Sequence, residues 1–139
     1  MDAPNTRILP YNKYNIAEAA ALIAAGKCVA VPTETVYGLA ADATNGVAVA
    51  GVYAAKGRPS FNPLIVHVLD VAAARKLAAF DVRAEALAAA FWPGPLTLVL
   101  PLKPSSGIAS LVTAGLETIA IRVPAHRAMR ALLEACGKP

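Results

Sequence analysis

Short apolar runs alternate with alanine-rich helical stretches along this chain, and a proline or glycine stands at most of the junctions. Cys28–Val31 reads as a buried strand that should end at Pro32, which has no N–H to give a sheet. Leu64–Leu69, Leu96–Leu102 and Thr118–Val123 read as further strands, the last closed by Pro124, and Leu39–Ala41 as a resumed one. Helices are predicted over Ile16–Ala25, with an Asn15/Glu18 capping box and a stop at Gly26, and over Val47–Lys56, begun by Thr44-Asn45 and ended by Gly57. Asp70 and Asp81 should cap two more, through Ala79 and Phe91, and His126–Cys136 is the last, with Gly137 just beyond it. Residues 1–14 read as an irregular lead-in, and Ile108–Leu116 has no period that assigns it. The alternation predicts an α/β layered domain, and 139 residues fit a single one, residues 1–139.

Composition narrows the class. With 57% hydrophobic and 16% charged residues, the chain can bury a core and is no disordered tail. Its longest uncharged stretch, Ala86–Leu102, is broken by Trp92-Pro93-Gly94-Pro95 and falls short of the ~20 apolar residues of a membrane helix. Met1–Asn5 lacks the basic and apolar segments of a signal peptide. The expectation is a soluble, cytoplasmic protein without a membrane partner. Cys28 and Cys136 stand at no metal-ligand spacing, and a disulfide between them is left open. A net charge of +4 suits an anionic partner, either nucleotide phosphate or RNA.

Four places carry chemistry-bearing side chains. Thr33-Glu34-Thr35-Val36-Tyr37-Gly38 follows the first strand with two threonines, a carboxylate and a phenol. Hydroxyl-rich loops at strand ends bind small molecules in open α/β sheets, although ordinary polar turns use the same residues. Lys56 and Arg58 flank Gly57 at a helix end, in a loop held by Pro59 and Pro63, and could neutralise a polyphosphate. His67 shares a strand face with Ile65 and Leu69, where a histidine is more often a satisfied core residue than a catalyst. Arg122, near the end of an apolar strand on the face with Thr118 and Ala120, needs an anion: a substrate carboxylate, Glu34 or Asp42. His126 and Arg127 read as a solvated helix end. There is no Walker A loop, G-x-G-x-x-G, H-E-x-x-H or Gly-x-Ser-x-Gly elbow.

In order and spacing, Pro32–Asp42 (P-T-E-T-V-Y-G-L), Lys56–Val68 (K-G-R-P-x-x-N-P-L), Phe91–Leu98 (W-P-G-P-L-T) and Thr118–Pro124 resemble the YrdC-like threonylcarbamoyl-AMP synthase family. The resemblance implies a twisted open mixed sheet with flanking helices. It implies a nucleotidyltransferase that makes threonylcarbamoyl-AMP and pyrophosphate from L-threonine, bicarbonate and ATP. The product would pass to a downstream threonylcarbamoyl-transferase complex, which modifies an adenosine next to the tRNA anticodon. Carried over by motif, Thr35, His67 and Arg122 hold threonine; Arg58, Asn62 and Thr118 contact ATP; Lys56 and Arg58 are catalytic. ATP is then a substrate, arriving with Mg2+, and the family needs no permanent cofactor and no protein-held metal.

The family also carries a Ser-x-Asn motif in a strand beyond the last helix, and nothing after Gly137 matches it. Ser105-Ser106 and Ser110 lie too early to replace it. The expectation is a C-terminally short form with weakened or absent synthase activity and a sheet edge open to self-association. Two other readings stand beside the synthase. One is a module, or inactive remnant, that binds tRNA or double-stranded RNA on a basic surface; the other is a carbamoyl-adenylate domain of the hydrogenase-maturation kind.

Overall fold

Single side chains set most of the helix boundaries. In the computed structural model, which describes residues 5–139, the chain forms α1 (Lys13–Ala24), β1 (Val29–Pro32), β2 (Tyr37–Ala40), α2 (Gly46–Lys56), β3 (Ile65–His67), α3 (Val71–Leu77), α4 (Val82–Phe91), β4 (Leu98–Pro101), β5 (Thr118–Arg122) and α5 (Arg127–Cys136). The Asn45 side chain accepts from the Val47 and Ala48 amides at 3.1 and 3.2 Å. Asp70 and Asp81 each accept, at 2.8 Å, from the amide three residues on. These are the N-caps the sequence announces. At the other end of α2, Gly57 takes the left-handed conformation, φ 57°, that a side chain would resist.

Helix α1 departs from the expectation. Its cap is Asn12, whose side chain accepts from the Asn15 amide at 2.9 Å, so the helix starts before Ile16. Asn15 turns its own amide back to the Pro10 carbonyl, and Glu18 pairs with Arg7 instead of closing a capping box. Both asparagines are competent caps; α1 packs against α5 through Ile16, Ala19 and Ala20, which either start would include. Part of the expected lead-in, residues 1–4, and most of the segment read for a signal peptide lie outside the described residues. The unassigned stretch 108–116 is a run of turns in which Ala114 and Gly115 both adopt positive φ, 52° and 74°.

The strands form two groups. β1 and β2 make an antiparallel hairpin, with Pro32 in its last pair opposite Tyr37. β5 is the centre of a mixed sheet, parallel to β3 and antiparallel to β4. The expected mixed sheet with flanking helices is thus present as three strands, with the hairpin packed on α1 and α5. Alternation along β5 sends Ile119 and Ile121 into the main core, with Val66, Val68, Ala74, Leu77 and Trp92. It leaves Arg122 on the opposite face, beside His67 in the ladder register. A second apolar cluster joins Val31 to Met129, Leu132 and Leu133. Cys28 and Cys136 are free thiols. Among the described residues no helix is long and apolar enough to cross a membrane.

The Trp92–Pro95 turn is wedged between elements. The Trp92 indole donates to the Leu96 carbonyl at 2.8 Å, and the Gly94 amide to the Val123 carbonyl at 2.8 Å. A Cβ on Gly94 would stand 2.5 Å from the Phe91 carbonyl oxygen. Gly94→Ala should therefore destabilise the fold by roughly 1–3 kcal/mol, the usual cost of overpacking. Urea denaturation measures it; an unchanged midpoint would show that the turn yields freely.

Candidate active site

The hairpin loop, the β3 and β5 strand ends and the end of α2 surround one cavity of about 350 Å3. Thr33, Thr35, Lys56, Arg58, His67 and Arg122 line its polar side, and Val31, Val49, Met129 and Leu132 are among its apolar lining. Five of the residues expected to act together therefore share one hollow. Asn62 and Thr118 do not line it. Thr118 begins β5, four residues before Arg122, or about 13 Å along an extended chain. Asn62 is exposed in its loop and contributes its backbone carbonyl to the local hydrogen bonding.

Arg122 is the buried charge of the site, with its side chain 7% exposed. Its Nε donates to the Gly94 carbonyl at 3.3 Å, its Nη1 to Thr35 Oγ1 at 3.1 Å, and its Nη2 to Glu34 Oε1. A guanidinium has five N–H groups, so two remain for a ligand. Of the anions weighed from sequence, Glu34 is the internal partner. Asp42 is taken elsewhere: it accepts from the Thr44 amide and hydroxyl and pairs with Lys138 at 3.1 Å. The other oxygen of Glu34 accepts from the Ala125 and His126 amides at 2.6 and 2.7 Å. Burial alone would raise the Glu34 pKa; the hydrogen bonds from Arg122, His126 and Ala125 and the Arg122 charge together hold it below the usual carboxylate value.

The hydroxyl network gives Thr35 a direction. Thr33 Oγ1 donates to the Val36 carbonyl at 2.7 Å, which uses its one proton. The 3.0 Å contact between the two threonine oxygens must then be Thr35 donating to Thr33. With its proton spent and one lone pair facing Arg122, Thr35 keeps one acceptor site free. Its natural ligand atom is an N–H.

His67 is neutral at physiological pH. Burial, and behind it the Arg122 charge, push its pKa from 6.5 down to about 4, against smaller upward effects of the Ile65 backbone and Glu34. Its Nε2 is buried without a hydrogen-bond partner. The residue lines the cavity, but this nitrogen lies just beneath its surface.

Lys56 is exposed. Arg58 folds back on its own loop, donating to the Asn62 carbonyl at 3.0 Å and the Pro63 carbonyl at 2.7 Å. Tyr53 steadies the same loop: its hydroxyl sits 3.0 Å from the Asn62 carbonyl and 2.9 Å from that of Leu111. Sequence reasoning missed Tyr53, Gly94 and the Ala125 and His126 amides just ahead of α5, because backbone contributions and distant packing leave no mark on residue type. His126 is more than a solvated end, since its Nδ1 accepts from the Ala128 amide at 3.1 Å and caps α5. Arg127 lies over the Tyr11 ring at 5.0 Å. Among the described residues no three His, Cys, Asp or Glu side chains cluster as metal ligands do.

The Sua5/YciO/YrdC profile, described as telomere recombination, matches residues 21–139. The chain belongs to the Sua5/YciO/YrdC family. Within that family it is 51% identical over 132 residues to a threonylcarbamoyl-AMP synthase of Bacillus subtilis, covering 94% of this chain and 38% of that protein. A Pyrococcus abyssi threonylcarbamoyl-AMP synthase is 47% identical over 128 residues, covering 91% of this chain and 37% of its own length. The chain thus spans well under half of these curated relatives. A solved structure of P. abyssi Sua5 complexed with L-threonine superposes with a TM-score of 0.88 at 45% identity, over 94% of this chain and 38% of that one.

His67 and Glu34 set distinct acid transitions. Unfolded His67 takes up its proton near pH 6.5 and the folded residue near 4, so in that window the unfolded state binds more protons and stability falls as pH falls. The loss should approach about 3 kcal/mol. Glu34 contributes stability above its ordinary pKa of 4.5 and loses it as pH drops further. Denaturant unfolding at pH 7 and pH 5 should show a drop in the wild type that His67→Gln reduces; equal slopes would place the His67 pKa near its ordinary value.

Proposed function

We propose that this chain carries the amino-acid and nucleotide pocket of a threonylcarbamoyl-AMP synthase. The observation that supports this most directly is the complementarity of the cavity to an α-amino acid. Arg122 has two unspent N–H donors for a carboxylate, and Thr35 has one free acceptor for an amine. The neutral His67 lines the same cavity beside Arg122. The synthase names of the relatives, and the L-threonine in P. abyssi Sua5, favour threonine as that amino acid.

In this reading the threonine amine condenses with bicarbonate to a carbamate, releasing water. A carbamate oxygen then attacks the α-phosphorus of ATP, and the bond to the β-phosphate oxygen breaks as pyrophosphate leaves with the electron pair. Lys56 and Arg58, on the cavity rim, offset the charge gathering on the phosphates. Arg58 would serve with the N–H groups left after its two loop carbonyls, or by releasing them. Much of the rate advantage would come from holding a labile carbamate against the phosphate. Asn62 and Thr118, off the cavity wall, would reach ATP only where the nucleotide extends beyond it. Magnesium would arrive on the ATP phosphates, since the nearby Glu34 carboxylate is committed to Arg122 and two amides. Transfer of the product to a tRNA adenosine would fall to a separate transferase.

Pyrophosphate release from ATP should depend on both L-threonine and bicarbonate. Lys56→Ala and Arg58→Ala should each lower kcat by about 10²–10³-fold, the scale of losing one transition-state donor, with the fold retained by circular dichroism. Turnover at wild-type rates in both variants would sink their assignment. RNA retention with no turnover in the wild type would favour the RNA-binding reading.

A further inference from the structure

Glu34 is bound from three directions, yet its side chain does not line the cavity. One oxygen faces Arg122 and the other bridges the Ala125 and His126 amides at the start of α5. It therefore joins the hairpin loop both to the end of β5 and to the helix that follows. The β1–β2 hairpin otherwise packs on α1 and α5. Arg122 is nearly buried, His67 beside it is neutral, and Asp42 is committed to Thr44 and Lys138. Among the described residues Glu34 is thus the one carboxylate that pairs with the Arg122 guanidinium.

We infer that Glu34 is a positioning residue that fixes the Arg122 guanidinium so that its two unspent N–H groups meet the carboxylate of an amino-acid substrate. The inference deepens the threonine reading above and rests on it for the identity of the ligand. The geometry has a specific consequence. Without the Glu34 anchor, Nη2 loses its internal partner and the guanidinium can rotate about the bonds to Gly94 and Thr35. The carboxylate contact then weakens, while the Lys56–Arg58 loop, held by Tyr53 and its own carbonyls, stays as it was. A residue that merely supported the fold would weaken both ligands together. Gln cannot substitute: its amide has one acceptor oxygen where Glu34 serves three donors, and its NH2 would face either Arg122 or the α5 amides.

The test compares ¹⁵N-labelled wild type, Glu34→Gln and Glu34→Ala, using spectral dispersion to confirm folding; Glu34→Gln keeps the side-chain volume should Glu34→Ala unfold. Proton exchange at Arg122 Nε and at the Ala125 and His126 amides should quicken in the variants, with β4 amides unchanged. By calorimetry, the L-threonine Kd should rise at least about tenfold while the ATP Kd stays within about twofold. Unchanged threonine affinity in a folded variant overturns the inference, and so does equal weakening of both ligands. A wild type that does not bind threonine refutes the ligand reading alone. The exchange rates then decide by themselves whether Glu34 fixes Arg122: unchanged rates overturn it, and quickened rates uphold it.

Discussion

A guanidinium buried at the end of a strand imposes conditions on everything around it. An uncompensated buried charge costs several kcal/mol, so the segments around Arg122 must supply acceptors. They come from far along the chain: a carboxylate and a hydroxyl from the hairpin loop, and a carbonyl from the Trp92–Pro95 turn. The same carboxylate collects the free amides ahead of α5, where a negative group is favoured by the unsatisfied N–H groups of a helix start. Meeting the demands of one side chain thus brings hairpin, turn, sheet and last helix to a common point.

The cavity beside that point is mostly apolar, with a polar side on which few groups are left unpaired. Thr33 has spent its proton, Thr35 has its direction fixed, and Glu34 serves three donors. What remains by valence is a short set: two guanidinium N–H groups of Arg122 and one lone pair of Thr35. Preorganisation of this kind lets a site distinguish ligands by hydrogen-bond geometry, because a ligand that fails to match leaves buried polar groups unpaired. His67 fits the pattern. Burial, and behind it the Arg122 charge, keeps the ring uncharged, so it lines the cavity without adding a second positive charge.

Much of the local structure was legible in the sequence. Asn45, Asp70 and Asp81 cap their helices, and Gly57 and Gly137 end theirs, because each of these outcomes depends on atoms within three or four residues. The strands were legible as apolar runs; β3, β4 and β5 came out shorter than their runs, β1 shifted by one residue, and β2 begins earlier than expected, at Tyr37, because Tyr37 and Gly38 pair with Pro32 and Val31. Helix α1 shows where local reasoning fails. Asn12 and Asn15 are equally good caps in sequence, and the structure uses Asn12 while Asn15 bonds back to the Pro10 carbonyl. Turns 108–116 were illegible because positive φ at Ala114 goes against its residue type.

By itself the sequence determined the element order, the caps, the family to which the chain belongs and the residue types available for chemistry. All of these follow from spacing along the chain or from motif. It named Glu34 and Asp42 as equal candidates to neutralise Arg122, and spacing could not separate them. Tertiary structure decided for Glu34, because Lys138 and Thr44 draw Asp42 away while the hairpin loop carries Glu34 to the end of β5. Tertiary structure also separated Thr35, His67 and Arg122, which share a cavity wall, from Asn62 and Thr118, which lie off it. The physical reason is the same in both cases: a charge or a hydroxyl acts over a few ångströms of space, and distance along the chain does not fix distance in space.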